Sequence, residues 1–378
     1  MKKNNLYIGI LTGTSMDSID CGIYNFSDKK SKIINFSESD YPLSIKESIN
    51  NDLKNIKDKK KYKDSSAHHE LSIYYSEIIN NLLNKNNINK ENIAAIGMHG
   101  QTVSHVKKNN QTTSIQIGCP KTLSEKTRVR VVSDFRQDDI ENGGEGAPLA
   151  PIFHDYIFKK LGTKRVIVNI GGISNISFLT GKDNSLYGFD SGPGNTLIDS
   201  WVKSKYNLNY DINGNIAGSH DCIDQLLENF MMDEYFQSKY PKSTSTEYFS
   251  KNWLSKNLKF LNRTYSDGDI LATLTNLTAF SIIQSIADNY EDCDEIYVCG
   301  GGAFNKTIMS GMKYAARKRF SEKIIVSTTD SLGVNPKTVE SGLFAWLAMS
   351  KISNIPLDYT KITGSSFPKT LGKIYNSK

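Results

Sequence analysis

Two stretches of this chain, separated by somewhat less than half its length, each join two apolar, β-prone runs through a glycine-containing turn. The first is LYIGILTGTSMDSIDCGIYNF from Leu6 to Phe26, and the second is KRVIVNIGGISNISFLT from Lys164 to Thr180. Both are typical of β-hairpins, because β-branched and apolar residues favour strands and glycine favours the turn. This repeated layout predicts two related α/β halves that face each other.

Strands and helices alternate through the rest of the chain. Apolar residues at helical spacing predict helices within 44–87, from near Pro148 to Gly162, after a cap at Ser266, and after Asn335-Pro336. Short β-prone runs predict strands at IAAIGMHGQT, TSIQIG, RVRVVSDF, EIYVCGGGAFN and KIIVST. This alternation is typical of an α/β fold.

Composition argues against several classes of function. The net charge of +6 comes largely from the lysine-rich stretches 51–63 and 84–90, which lack the aromatic and arginine spacing of nucleic-acid binding. The five cysteines are scattered without a C-x-x-C pair, which disfavours a disulfide framework or a thiolate zinc site. The residues MKKNN before the first predicted strand lack the apolar region and cleavage site typical of a signal peptide, and no apolar run approaches the roughly 20 residues of a membrane span. We expect no nucleic-acid or membrane partner and a cytoplasmic location.

The turn of the first hairpin has the composition of a phosphate-binding site. Gly13 lets the backbone approach a ligand, and the hydroxyls of Thr14 and Ser15 can contact phosphate oxygens together with backbone N–H groups. Asp17 and Asp20 fit beside a phosphate only if they reach Mg²⁺ directly or through its waters, because bare carboxylates would repel it. The alternative is an exposed hairpin tip, where these residue types are common.

Two further strand ends are rich in glycine. They are GFDSGPGN, from Gly188 to Asn195, and VCGGGAFN, which places three glycines between a strand and a helix. Such turns can take an adenosine or a diphosphate against the backbone, although each is a weak signal alone. Neither a G-x-x-x-x-G-K-[ST] loop nor a dinucleotide loop after a strand is present, so the sequence favours phosphate binding by paired hairpins.

The order of twelve motifs resembles one known family. The motifs span about Tyr7 to Gly372 and are GTSMDSID, HGQT, QIG, DFR, GGEGAPL, NIGGISNIS, GFDSGPGN, PKSTSTEYF, ATLT, CGGGAFN, TTD and ESGLFAWLA. They resemble the anhydro-N-acetylmuramic acid kinase family of the actin/hsp70/sugar-kinase superfamily. The resemblance implies an α/β fold of two RNase H-like domains with ATP in the cleft between them. It implies a first domain of 1–133 with about 353–378, a second domain of 134–352, and a homodimer. In this fold a C-terminal helix can cross back to the first domain, and the helix from Pro336 to Ile352 is the candidate for it.

The resemblance also implies a reaction. The family uses ATP, with Mg²⁺, and water on 1,6-anhydro-N-acetylmuramic acid, an amino sugar from peptidoglycan turnover, and produces N-acetylmuramic acid 6-phosphate. The 6-oxygen of the anhydro sugar carries no proton, so water must add at C1 while a base takes its proton. Carried onto this sequence, that base is Asp190 of GFDSGPGN. The alternative is that Asp190 caps the following helix.

The remaining site residues follow from the same resemblance. The phosphate hairpin would comprise Gly13, Thr14, Ser15, Met16, Asp17, Ser18, Ile19 and Asp20, with Gly171 and Gly172 forming a second one. The adenosine would lie against Gly300, Gly301 and Gly302, and the sugar would contact His99, Gln101, Arg136 and Glu340. A guanidinium suits the lactyl carboxylate of the sugar because it donates in a bidentate fork. His99 has the alternative of being a satisfied polar residue at a strand end, and Glu340 that of favouring its helix through the dipole.

Three departures from the family pattern leave points open. Ser18 stands where the family usually has glycine, which would cost about 1 kcal/mol if the position needs positive φ. Ser191 replaces the usual threonine, and Leu11 stands where related sugar kinases often have an acid, so the metal ligands are not assigned. Two other functions remain open: a kinase of the same fold acting on an ordinary sugar hydroxyl, and an actin- or chaperone-like ATP-binding module without phosphotransfer.

Overall fold

The computed structural model describes residues 5–13, 16–26, 31–55, 59–108, 111–180, 186–240, 242–259 and 264–377. The chain forms two compact units: Met1–Ile157 with Thr338–Lys378, and Phe158–Lys337. These limits differ from the predicted 133/134 and 352/353 boundaries. The stretch 134–157 and a helix after Thr338 join the first unit because they pack on its sheet and on each other, as where Phe153 contacts Trp346.

The described residues form twelve strands and twelve α-helices. The strands are β1 Leu6–Thr12, β2 Ser18–Asn25, β3 Lys32–Asp40, β4 Ile93–Lys108, β5 Gln111–Ile117, β6 Val131–Ser133, β7 Arg165–Ile170, β8 Ile173–Leu179, β9 Tyr187–Pro193, β10 Glu295–Cys299, β11 Ile325–Thr328 and β12 Lys373–Tyr375. The helices are α1 Leu43–Asn55, α2 Ser66–Lys85, α3 Pro120–Thr127, α4 Phe135–Glu141, α5 Ala150–Phe158, α6 Thr196–Tyr206, α7 Asp224–Met231, α8 Glu234–Gln237, α9 Lys251–Leu258, α10 Asp267–Ala287, α11 Lys306–Arg319 and α12 Val339–Ile352.

The sheets of the two units share a five-stranded arrangement, to which the first sheet adds β5 and β12. The first has the order β12-β6-β4-β1-β2-β3, with β5 paired to β4, and the second has the order β11-β10-β7-β8-β9. In each, three antiparallel strands are followed by two strands that run parallel to the first. Both predicted hairpins are present, as β1–β2 and β7–β8. The prediction of an α/β protein built from two related, RNase H-like halves is confirmed.

A row of glycines lets helix α12 lie directly on the first sheet. Gly9 of β1 pairs with Gly22 of β2 and with Gly97 of β4, so the row crosses three strands. A Cβ atom on Gly9 would lie 1.7 Å from the Ser341 carbonyl oxygen, and one on Gly97 would lie 1.9 Å from that of Phe344. Only hydrogen at these two positions permits this approach, which is why α12 belongs to the first unit.

Helix α10 is the central helix of the second unit. Its N-cap is Ser266, whose side chain accepts a hydrogen bond from Asp269 N–H, so the predicted cap is confirmed. Among the described residues, α10 alone is long and apolar enough to cross a membrane by length and composition, but most of it is buried inside the protein. Its apolar side chains, including Leu274 and Ile282, pack in one core with β7, β8 and β10. A core helix therefore accounts for its composition.

Three histidines are buried in the first unit, and burial lowers the pKa of each. The pKa is lowered to about 4 for His68 and to about 3 for His154, and for His99 it lies well below its ordinary value. His68 is held as a neutral acceptor, because the Gly118 N–H donates to its Nδ1 at 3.0 Å. The unfolded chain therefore binds protons below about pH 6.5 that the folded chain does not bind.

We expect Gly9→Ala to destabilise the first unit by about 3 kcal/mol or more, because the new methyl group would overlap a backbone carbonyl that cannot move independently. Urea unfolding followed by tryptophan fluorescence measures the change. Gly171→Ala is the matched control, since its Cβ would meet nothing nearer than 3.6 Å. Equal stability of the two variants would contradict the close packing of α12.

We expect the free energy of unfolding to fall as the pH is lowered from 6.5 towards 4.5. Each buried neutral histidine contributes a slope of up to about 1.4 kcal/mol per pH unit, because its folded pKa lies below its unfolded pKa. His68→Asn keeps an acceptor for Gly118 and should reduce the slope by about one proton. An unchanged slope in His68→Asn would show that His68 is charged in the folded state.

Candidate active site

The turn after β1 is stabilised by a lysine from helix α1. Met16 N–H donates to Gly13 O at 3.2 Å, and Met16 has φ +54°, a left-handed conformation. Lys46 Nζ donates to Met16 O at 2.8 Å and lies 3.6 Å from the Asp17 carboxylate. Thr14 and Ser15, which were predicted to contact phosphate, lie outside the described residues. Sequence reasoning missed Lys46, which is thirty residues away in the chain.

Ser18 does not carry the strain that its replacement of glycine suggested. It is the first residue of β2 and is not among the residues with positive φ, whereas Met16 is. Ile19 is buried, and Asp20 lies opposite Leu11 in the hairpin register. The departure from the family pattern at Ser18 therefore costs no backbone strain.

A Mg²⁺ ion would meet few protein ligands at this turn. The described residues contain no group of three or more histidine, cysteine or acidic side chains that could hold a metal. Asp17 precedes strand β2 and has 66% of its side chain exposed. Asp20 is half-buried near the start of β2. One or two carboxylates with phosphate oxygens and water are a usual Mg²⁺ environment, so these residues fit the ion without defining its position.

The predicted second phosphate hairpin and adenosine turn lie next to each other in the second unit. Asn195 N–H donates to Gly171 O at 2.8 Å, and Thr196 N–H donates to Gly172 O at 3.1 Å, which fixes the β7–β8 turn against the start of α6. Gly300 has φ +78°, and a Cβ atom there would lie 2.7 Å from Ile170 O.

Gly302, like Gly300, packs on Ile170. A Cβ atom on Gly302 would lie 2.3 Å from the Ile170 side chain, whereas one on Gly301 would meet nothing nearer than 3.7 Å. The structure thus brings together the two glycine turns that the sequence predicted, at the carboxyl ends of the parallel strands β7 and β10. Ligands of open α/β sheets commonly bind at such an edge.

Asp190 lies on β9, in the same unit, with its side chain half-buried. Its Oδ2 accepts a hydrogen bond from Thr244 N–H at 3.0 Å, and its backbone oxygen accepts one from the Tyr235 hydroxyl at 2.6 Å. The N-cap of α6 is Asn195, so Asp190 does not cap that helix. The carboxylate is instead held by the backbone of a segment that follows α8.

That segment, 242–246, belongs to the sequence motif PKSTSTEYF, for whose residues the sequence predicted no role. Lys242 O accepts from Asp190 N–H at 3.3 Å, and the Lys242 ammonium lies 4.8 Å from the centre of the Tyr235 ring. Burial lowers the pKa of Lys242. More than fifty residues separate this segment from Asp190 in the chain, so spacing could not have revealed the contact.

Two of the four predicted sugar residues form one hydrogen-bonded pair in the first unit. Arg136 Nε donates to His99 Nε2 at 2.8 Å, and Arg136 Nη1 donates to Gly146 O at 2.9 Å. His99 Nδ1 donates to Gly100 O at 2.9 Å, which fixes the tautomer. Burial, and then the Arg136 cation, lower the His99 pKa, so the ring is neutral and holds the guanidinium in place.

The other two predicted sugar residues lie on neighbouring elements. Gln101 follows His99 by two residues on β4, is 1% exposed, and its Oε1 has no hydrogen-bond partner among the described residues. Glu340 is in the first turn of α12, four residues before Phe344, whose ring centre lies 4.5 Å from that of His99. Residues four apart share a helix face, so Glu340 lies on the side of α12 that meets His99.

Comparison with known proteins gives one family for nearly the whole chain. The family model for anhydro-N-acetylmuramic acid kinase matches residues 5–377. A protein of that name from Shewanella oneidensis is 39% identical over 98% of this chain and 99% of its own length. One from Shewanella baltica is 38% identical over 100% of both chains.

Solved structures give weaker matches. The activator of the 2-hydroxyisocaproyl-CoA dehydratase from Clostridium difficile, with bound ADPNP, is 13% identical with a TM-score of 0.46, covering 92% of this chain and 96% of that chain. A ROK family glucokinase from Streptomyces griseus, in complex with glucose and AMPPNP, is 9% identical with a TM-score of 0.41, covering 90% and 98%. On the full-length match to the family model and to these relatives, the chain belongs to the anhydro-N-acetylmuramic acid kinase family.

Proposed function

We propose that this protein uses ATP and water to convert 1,6-anhydro-N-acetylmuramic acid to N-acetylmuramic acid 6-phosphate. Membership of the kinase family supports the overall reaction. The observation that carries the mechanism is the Asp190 carboxylate, half-buried on β9 and oriented by the Thr244 N–H. It lies in the same unit as two adjacent glycine turns of the kind that admit phosphates against the backbone.

In this mechanism Asp190 is the general base for water. The water oxygen forms a bond to C1 while its proton passes to the Asp190 carboxylate, and the bond from C1 to the 6-oxygen breaks. The electron pair of that bond stays on the 6-oxygen, which then attacks the γ-phosphorus of ATP, and ADP leaves. No proton has to be removed from the 6-oxygen, so the base belongs beside the water and not beside a sugar hydroxyl.

The glycine turns take the nucleotide. Gly13, Met16 and the Gly171-Gly172 turn bind phosphate oxygens, and Gly300 to Gly302 approach the adenosine, because a glycine backbone offers N–H groups without steric hindrance. Mg²⁺, held by Asp17 or Asp20 directly or through water, would neutralise phosphate charge. Lys46 keeps the first turn closed through its bond to Met16 O.

Arg136 binds the lactyl carboxylate of the sugar, and His99 acts through Arg136. Both nitrogens of the His99 ring are engaged, one by Arg136 and one by Gly100, so the ring positions the guanidinium and does not itself contact the sugar. Gln101 and Glu340 contribute polar contacts from β4 and α12. The cellular role that follows is the recycling of peptidoglycan sugars in the cytoplasm, by a homodimer.

An isotope experiment tests the reaction. In ¹⁸O-labelled water, with ATP and the anhydro sugar, the label should appear at C1 of the phosphorylated product. Phosphorylation without label at C1 would mean that the protein is an ordinary sugar kinase. ATP turnover that is the same with and without the sugar would mean a module that transfers no phosphate to it.

We expect Asp190→Asn to lower kcat by about 10²- to 10⁴-fold, because the amide cannot accept the water proton. The affinity for ATP, measured by calorimetry, should stay within about twofold, which corresponds to about 0.4 kcal/mol. Asp288→Asn, an exposed aspartate in the same unit, is the matched control and should keep wild-type kcat. Near-normal turnover in Asp190→Asn would remove Asp190 from the mechanism.

We expect His99→Leu to raise the KM for the sugar by about tenfold with little change in the KM for ATP. The substitution removes the acceptor that orients Arg136, and tenfold corresponds to about 1.4 kcal/mol, the scale of one hydrogen bond. His99→Gln retains an acceptor and should recover part of the loss. A rise confined to the KM for ATP would place the His99–Arg136 pair at the nucleotide instead.

A further inference from the structure

Two side chains next to Asp190 carry buried oxygens that the mechanism above does not use. They are Oδ1 of Asn175 and Oγ1 of Thr244, and neither has a hydrogen-bond partner among the described residues. A buried polar atom left without a partner costs about 1–3 kcal/mol, so most buried oxygens in proteins are satisfied. Two such atoms around one carboxylate require an explanation.

Asn175 is the cross-strand neighbour of Asp190. The two residues are paired in the antiparallel register of β8 and β9, which places their Cβ atoms about 4.5–5.5 Å apart on one face of the sheet. A register irregularity lies directly beside this pair, between Ser174 and Asn175. Such bulges re-aim side chains and are frequent beside active sites.

The row of polar side chains continues onto the next strand. Asn169 of β7 is paired with Asn175. The thiol of Cys299 on β10 donates a weak hydrogen bond to Asn169 Oδ1 at 3.7 Å. The opposite face of the same strands carries Val168, Ile176 and Phe189 in the hydrophobic core. The polar face of the sheet therefore runs from the glycine turn after β10 to Asp190.

Thr244 contacts Asp190 from segment 242–246. The Thr244 backbone N–H donates to Asp190 Oδ2 at 3.0 Å. The Thr244 hydroxyl belongs to the same residue and is therefore close to the carboxylate. Thr246, two residues further along the chain, lies against Gly172 of the phosphate hairpin, with its Cγ2 3.4 Å from where a Cβ on that glycine would be. Segment 242–246 thus extends from the carboxylate to the phosphate hairpin.

We propose that Asn175 and Thr244 bind, together with Asp190, the water molecule that attacks C1. This inference rests on the proposed function. A bound water needs two to four polar partners, and these residues supply three. The water donates one hydrogen to Asp190 and the other to Asn175 Oδ1, and it accepts the Thr244 hydroxyl hydrogen. One lone pair remains, and it forms the bond to C1.

The hydrogen bonds also account for the fate of each atom. As the bond to C1 forms, the first hydrogen passes to Asp190, while the second stays on the new C1 hydroxyl and still faces Asn175. The electron pair of the breaking bond goes to the 6-oxygen, which takes the phosphoryl group from ATP. Asn175 and Thr244 bind the reacting water, and Asp190 alone exchanges a proton with it.

Near-isosteric variants test the proposal. Asn175→Leu and Thr244→Val remove the polar atoms at similar volume, and Thr244→Val keeps the backbone N–H that Asp190 accepts. We expect each to lower kcat by 10- to 100-fold with the KM values for ATP and sugar within threefold. Thr244→Ser should restore most of the rate. The double variant should lose less than the product of the two single losses, because both residues act on one water.

Controls separate the possible failures. Ser245→Ala removes a neighbouring hydroxyl that accepts from Tyr248 N–H and should keep wild-type kcat. Single variants with kcat within twofold of wild type, independent losses in the double variant, or Thr244→Ser as slow as Thr244→Val would each overturn the water site. Wild-type protein is assayed in ¹⁸O-labelled water in parallel. Absence of label at C1 there overturns the proposed function itself, whereas label in wild type with normal variants overturns only this inference.

Discussion

The contact between helix α12 and the glycine row of the first sheet decides the arrangement of the polar residues around it. Because Gly9 and Gly97 have no side chains, the α12 backbone reaches van der Waals contact with β1 and β4. Phe344 then meets the His99 ring, and that buried ring stays neutral. A neutral His99 can accept a hydrogen bond from Arg136, so the orientation of this guanidinium depends on the absence of methyl groups at Gly9 of β1 and Gly97 of β4.

In the second unit the glycines position polar residues through strand ends, and not by letting a helix pack on the sheet. Here the glycines lie at strand ends, where Gly300 and Gly302 fit around Ile170 and the Gly171-Gly172 turn accepts bonds from the start of α6. These contacts fix the carboxyl edge of the sheet. Asp190 is then held by strand register, by the backbone of segment 242–246 and by the Tyr235 hydroxyl.

The sequence predicted the elements of this fold well, because hydrophobic periodicity and glycine turns are local signals. Both hairpins, the Ser266 cap and the strand before Gly300 to Gly302 are present where they were predicted. The predicted limits differ from the two compact units at α12, which belongs to the first unit although it follows the second unit in the chain. The cost considered for Ser18 applied only if that position needed a positive φ, and it does not arise, because Met16 and not Ser18 has a positive φ.

The candidate site divides in the same way. Motifs predicted Asp190, Arg136 and the glycine turns as site residues, whereas they gave no role to Lys46 and Thr244, whose contacts are distant in sequence. The two polar arrangements also differ in how completely they are satisfied. Both nitrogens of His99 are engaged, which suits a group that must hold one ligand geometry. The oxygens of Asn175 and Thr244 lack protein partners among the described residues, and that suits groups whose partner, a water molecule, is consumed and replaced at every turnover.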